Sequence, residues 1–493
     1  MNDMACTTIL AGKKATCDGA TMIARNDDNP NGTFTVKKYR GVSPEEQPRL
    51  YKSVLSHVEI PLPDNPMRYT CTPNADPSIK GVWAAAGINE ANVAMTATET
   101  ITSNVRVLGA DPLVEYEPAH DGQPEKAGGI GEEDIVVLVL PYIRSAREGV
   151  KRLGALLEEY GTYEMNGIAF ADRDEVWYLE TVGGHHWIAS LLPDTCYAVL
   201  PNSFGEDNFH LEDALSNQER FMCSPDLKTF IDENHLTLTD NGVFNPRLAF
   251  GSHSDSDHVY NTPRMWYGQR YFNPTTVKWD GEDAQFSPLS DNMPWYRKPE
   301  HLITIDDVKY VLSSTFQGTK YDSYGSSSTA KLFRPIGINR TSFLSVAAIR
   351  DDVPESACAV EWFTYGCNVY NALVPQFTNV RRTPDYFANT TLEVSTDNFY
   401  WTNRLIGALA DPHHAQTIIH IERYQESVGG KGRALVNEAL RHVHEHEDDV
   451  QTYLESINQR IADMVKKETL KLLNDVLYTS SMNMKNSFMR SDQ

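Results

Sequence analysis

The feature that most constrains this chain is a strand–loop–strand pattern recurring along much of its length. Residues 6–11 (CTTILA) and 20–25 (ATMIAR) are apolar, threonine-bearing runs separated by the turn-rich segment GKKATCDG. Runs of this kind predict paired antiparallel strands. The pattern returns in GVWAAAGINEANVAMTATET (81–100), two small-residue strands joined around Asn89-Glu90. Residues 167–205 read as successive strands with Asp-rich or Gly-rich turns, and another set lies at 343–349 (FLSVAAI) and 358–363. Helical patterns are fewer. Val139, Ile143, Ala146, Val150, Leu153 and Leu157 recur at three- and four-residue steps, predicting an amphipathic helix that ends near Gly161. Two more span 433 to 478, the second with Val450, Leu454, Ile457, Ile461, Met464 and Val465 on one face. Residues 205–300 are aromatic and loop-rich, and the last dozen residues are expected to fray. With no internal repeat and no linker, the expectation is one large α+β domain with a helical C-terminal part.

A chain of 493 residues with 41% hydrophobic residues can build a substantial core. Its formal charge of −23 argues against a nucleic-acid backbone or an anionic membrane as partner. No stretch approaches the roughly 18 apolar residues of a membrane span; the nearest, IVVLVLPYI at 135–143, is short and contains Pro141. The five residues before Cys6 include Asp3 and supply no apolar core, so neither a secretory signal nor a lipoprotein anchor is expected. The cysteines, at 6, 17, 71, 196, 223, 358 and 367, are odd in number and never spaced C-x-x-C. That pattern suits free thiols in a reducing compartment, and the protein is expected to be cytoplasmic.

Cys6 stands immediately before the first predicted strand, behind the small residue Ala5. Cleavage between them would give Cys6 both a thiol and a free α-amine. That amine, with an ordinary pKa of about 7.7–8.0, accepts a proton near neutral pH, so one residue would hold nucleophile and base together. The hairpin returns Arg25 and Asp28 alongside the start of the strand. A guanidinium there would favour the thiolate, and a carboxylate could hold the amine.

Cys6, its spacing to Arg25-Asn26-Asp27-Asp28, and the stretch GINEANVAMTATET together resemble the cysteine-type N-terminal-nucleophile dipeptidases, the dipeptidase A family. Penicillin V acylase and bile salt hydrolase are its more distant relatives. The resemblance extends to YAVLPNSFG, where Asn202 matches an oxyanion-hole asparagine, and to HVYNTPRMWYGQR, where Arg264 matches a second active-site arginine. It implies an αββα sandwich over residues 6–425, removal of residues 1–5 by autocatalytic cleavage, and a helical extension at 426–493. It also implies hydrolysis of dipeptides through a thioester, without a cofactor or metal, by an enzyme expected to be a homo-oligomer. At the position of Glu99 the acylases carry a neutral asparagine or tyrosine. Glu99 is therefore expected to pair with the substrate ammonium, with Asp27 the next candidate.

Each of these residues also has a plainer reading. Arg25 and Asp28 would serve as a surface ion pair, Asn202 as a turn cap after Pro201, and Glu99 as a solvent-facing strand end. Arg264 would open a helix with Trp266 and Tyr267 in the core, and Arg270 competes with it for the active-site role. His442 and His446, four apart in RHVHEHEDD, suggest a metal site, but no H-E-x-x-H is present and a solvated face explains them. An N-acyl amide hydrolase, a metallopeptidase and a non-catalytic binding protein retaining the fold remain alternatives at this stage.

Overall fold

The computed structural model describes residues 6–239 and 242–486, and over these the strand patterns become two large antiparallel sheets and a separate two-stranded ribbon, Leu50–Lys52 with Glu59–Pro61. The first is seven-stranded, in the order Tyr296–Arg297, Tyr197–Leu200, β1 (Thr7–Ala11), β2 (Thr21–Asp28), Thr341–Ile349, Ala359–Tyr365, Val374–Phe377. The second is eight-stranded, with Asn166–Ala171 and Ala94–Thr100 near its centre and Phe221–Cys223 and Arg40–Val42 at its edges.

Neither β1 nor β2 alternates between apolar and polar residues, because both of their faces are covered. All five residues of β1 and all eight of β2 are buried, the pattern of strands enclosed on two sides. Leu10 and Ile23 pack between the sheets, against Ile88, Ala169 and Tyr178. Ile9 and Ala24 point the other way, toward Met265, Trp266 and Val308 of the helices Thr262–Phe272 and Ile305–Leu312. The outer face of the second sheet is covered by Val150, Leu153 and Leu157 of the helix Ala146–Tyr160. The layers are therefore helix, sheet, sheet, helix: the expected αββα sandwich. At the hairpin loop Gly12 is required by contact, since a Cβ there would lie 2.5 Å from the Asp194 carbonyl oxygen.

Several element boundaries differ from those expected. The helix anticipated from Val139 begins only at Ala146, where the Ser145 hydroxyl accepts from the Glu148 amide. Pro141 places residues 140–142 in a tight 3-10 turn, and Ile143 is extended. The C-terminal helices are longer than their apolar periodicity, at His414–His442 and Val450–Met482, and residue 425 lies inside the first. Both pack onto the first sheet through Ile421, Val428, Ile457 and Val465. The loop-rich stretch 205–300 contains several short helices, and its aromatics Trp266 and Tyr267 are core. No helix among the described residues is long and apolar enough to cross a membrane.

Candidate active site

Cys6 immediately precedes β1 and is fully buried. The hairpin register places Thr7 opposite Asn26 and Thr8 opposite Arg25. Arg25 and Asp27 thus share the inter-sheet face with the thiol, while Asn26 and Asp28 face the helices.

Arg25 organises the inter-sheet face. Its Nη2 donates to Cys6 Sγ at 2.9 Å and to Glu132 Oε1 at 2.6 Å. Its Nη1 donates to the carbonyls of Ala97 and Ala85. Asp27 Oδ1 lies 3.6 Å from the same Nη2, and Asp27 Oδ2 lies 3.2 Å from Lys37 Nζ. Lys37 Nζ is also bound to the Trp83 carbonyl at 2.8 Å. Surrounding carboxylates hold the guanidinium in its charged form against the cost of burial.

The guanidinium beside Cys6 is present as expected, but it does not decide the ionisation of the thiol. Burial raises the Cys6 pKa well above its ordinary value. Arg25 opposes that shift, whereas Glu99, Glu132 and Asp27 add to it. Burial therefore favours the neutral thiol, and an attack by sulfur calls for a base. Among the described residues the Arg25 guanidinium is the hydrogen-bond partner found at Sγ, and no histidine contacts it.

Glu99 is not the solvent-facing strand end of the plainer reading. It is fully buried, at an irregularity where the strand Ala94–Thr100 shifts register against Asn166–Ala171. Glu99 Oε2 accepts from the Thr8 hydroxyl at 2.8 Å, and Oε1 has no hydrogen-bond partner among the described residues. Burial pushes its pKa up to about 8, against the pull of Arg264 and Arg25.

Arg264 enters from the helix side, fully buried, with all five donors engaged. Nε donates to the Tyr260 carbonyl at 2.9 Å; Nη1 donates to the Cys6 carbonyl and, at 2.9 Å, to the Thr7 hydroxyl. Nη2 donates to Asn202 Oδ1 and Asn261 Oδ1, both at 2.7 Å. Burial, followed by its neighbour Arg334, lowers its pKa to about 9. Asn202 follows the strand Tyr197–Leu200, which pairs with β1, and its Nδ2 donates to the Thr100 carbonyl at 2.8 Å. Arg270, the competitor, is ion-paired with Asp280 at the surface.

A fold of two facing antiparallel sheets, with a cysteine held between arginines just ahead of the first strand, now stands beside the family comparisons. The model of Peptidase family C69 matches residues 5–427. The chain belongs to that family. It is 53% identical to a "Dipeptidase" of Bifidobacterium longum, over 99% of this chain and 100% of that protein. It is also 53% identical to a "Probable dipeptidase A" of Streptococcus pyogenes serotype M3, over 99% and 100%. Identity to "Dipeptidase A" of Lactobacillus helveticus is 40%, over 97% of each.

In this C69 chain Asp28 is neither a surface residue nor the partner of Arg25. It is buried and ion-paired with Arg334 Nη2 at 2.5 Å, and its other oxygen accepts from the Thr341 hydroxyl at 2.5 Å. Burial still raises its pKa above the ordinary carboxylate value. The Ala5-Cys6 junction and the rest of residues 1–5 lie outside the described residues. Sequence reasoning missed Glu132, Lys37 and Arg334. Glu132 did carry a signal: it opens the acidic triplet Glu132-Glu133-Asp134, set between Gly131 and an apolar run, and all three acids are buried. Three consecutive acids leading into a core segment are rarely left buried without a partner.

Proposed function

We propose that this chain is a cysteine-type dipeptidase whose nucleophile is Cys6 and whose general base is the α-amine that cleavage after Ala5 would free. The observation that carries this reading is the 2.9 Å contact between Arg25 Nη2 and Cys6 Sγ, at a thiol with no side-chain base in contact among the described residues.

The α-amine takes the proton from Sγ–H as sulfur attacks the scissile carbonyl carbon, and the carbonyl oxygen becomes an oxyanion. Asn202 uses one amide hydrogen on Thr100; the other is available to that oxyanion. Arg264, bound to both Asn202 and the Cys6 carbonyl, keeps the donor and the nucleophile in register. The ammonium then protonates the leaving nitrogen, the C–N bond breaks, and the first amino acid departs. Water, deprotonated by the same amine, attacks the thioester, releases the second amino acid and restores the thiol. The Asp28 carboxylate keeps acceptor capacity beyond Arg334 and Thr341 and holds the amine in place. Glu99, with a buried oxygen that has no partner among the described residues, receives the substrate ammonium, and Asp27, 3.6 Å from Arg25 Nη2, is the second carboxylate on that side. An N-acyl substrate would leave Glu99 unpaired, which favours dipeptides over acyl amides.

Intact-mass measurement on active enzyme tests the assignment. The expected mass is that of a chain beginning at Cys6; full activity in a chain that retains Met1 would overturn it.

A further inference from the structure

Three guanidinium groups gather around Tyr260, on the helix side of the nucleophile. Arg264 Cζ lies 5.1 Å from the Tyr260 ring centroid and Arg334 Cζ 5.4 Å from it, and Arg340 Nη2 donates to the Tyr260 hydroxyl at 2.8 Å. Asp28 pairs with Arg334. Neither Arg264 nor Arg340 has an ion pair among the described residues, and the buried Nε of Arg340 has no hydrogen-bond partner there. Clustered cations in a partly enclosed site repel one another, and an incoming anion relieves that repulsion.

The cluster lies within reach of the chemistry. Arg264 binds the Cys6 carbonyl directly. The Asn29 amide donates to the Arg340 carbonyl at 3.2 Å, which fixes Arg340 just beyond the end of β2. Arg404 braces the same segment by donating to the carbonyls of Asn339 and Thr341 at 2.6 and 2.8 Å. Arg334 also lines a cleft of about 700 Å³ together with Lys331, Phe333 and Asn339. In a dipeptide the free carboxylate sits on the leaving residue, one residue step of about 3.8 Å from the residue carrying the scissile carbonyl. A receptor for it must therefore lie beside the nucleophile, as this cluster does.

We propose that Arg340, held over Tyr260 beside the Asp28-paired Arg334, forms the subsite for the free α-carboxylate of the substrate's leaving residue. The subsite would exclude peptides whose C-terminus is amidated or extended. A planar guanidinium fork matches a carboxylate bidentately, and such a contact discriminates by about tenfold to hundredfold. This inference rests on the dipeptidase reading above.

The test is kcat/KM for a dipeptide and for its C-terminal amide, in wild type and in Arg340→Gln, Arg340→Lys and Tyr260→Phe. Wild type is expected to prefer the free acid by about tenfold or more. Arg340→Gln should raise KM for the acid and leave the amide nearly unchanged, so that the preference collapses, while Arg340→Lys retains part of it. Tyr260→Phe removes one hydroxyl without removing a charge, and should lower the preference by a smaller factor even where Arg340→Gln does not fold. Equal turnover of acid and amide by wild type, or an unchanged ratio in the folded variants, would overturn the subsite and leave the dipeptidase reading intact. Turnover of an N-acyl amide with none of any dipeptide would remove the reading and the subsite together.

Discussion

The two sides of Cys6 are lined by different groups, carboxylates interleaved with two cations on one side and mostly guanidiniums on the other. On the inter-sheet side three carboxylates, Asp27, Glu99 and Glu132, surround Arg25 and Lys37. On the helix side three guanidiniums, Arg264, Arg334 and Arg340, accompany Asp28. A dipeptide carries its ammonium and carboxylate within about two residue lengths of each other, flanking the one bond to be cut. Cys6, the proposed nucleophile, lies between an acid-rich and a guanidine-rich wall, an arrangement matched to that zwitterion. An acylase substrate, without the ammonium, would use only half of the arrangement.

The largest effect expected of any change falls on Cys6, the proposed nucleophile. Cys6→Ala should remove turnover by about 10⁵-fold or more while the melting temperature stays close to wild type, and its leader should stay uncut. Appreciable turnover by this variant would transfer the chemistry to another group and dissolve the comparison between the walls.

Arg25→Met should come next, since it leaves Glu132 and Asp27 buried without their guanidinium. A loss of about 3–5 kcal/mol in chemical denaturation is expected. Because Arg25 holds the thiol pKa down, alkylation of Cys6 by iodoacetamide should also become slower at a given pH. An unchanged alkylation profile would make Arg25 structural only.

Asn202→Ala should lower kcat by about 10²- to 10³-fold with a smaller change in KM, because an oxyanion donor acts chiefly in the transition state. A change confined to KM would move Asn202 from the reacting oxygen to substrate binding.

The smallest effect separates the walls by pH. Glu99 has a folded pKa of about 8, against about 4.3 in an unfolded chain. For an acid raised in this way, the stability it contributes is complete below about pH 4 and is lost as pH rises toward 8. Glu99→Gln should therefore flatten the denaturation midpoint across that window. It should also reduce the preference for a dipeptide over its N-acetyl form by about tenfold to hundredfold. An unchanged preference would shift ammonium recognition to Asp27.

Much of this architecture is written in short-range pattern. The threonine-rich hairpin, the cysteine in front of it, and the arginine that returns beside it are separated by about twenty positions, and local pairing delivers them to one another. The same holds for the small-residue strands, whose two-sided burial follows from their lack of alternation. The helix expected from Val139 was misjudged because apolar spacing continued through Pro141, where the backbone could not.

The charged walls have no such local trace. Glu132 reaches Arg25 across 107 positions, Arg334 reaches Asp28 across 306, and Arg340 reaches Tyr260 across 80. Arg25 and Asp28, three positions apart in the motif, were expected to act together, yet alternation along β2 sends them to opposite faces. The position of Cys6 ahead of its hairpin and the layered α+β class can be read along the chain, because those depend on periodicity and near neighbours. Only the packing of two sheets and their flanking helices decided which buried charges neutralise one another and which remain for a substrate, since charge pairing in a low-dielectric interior depends on distance in space rather than along the chain.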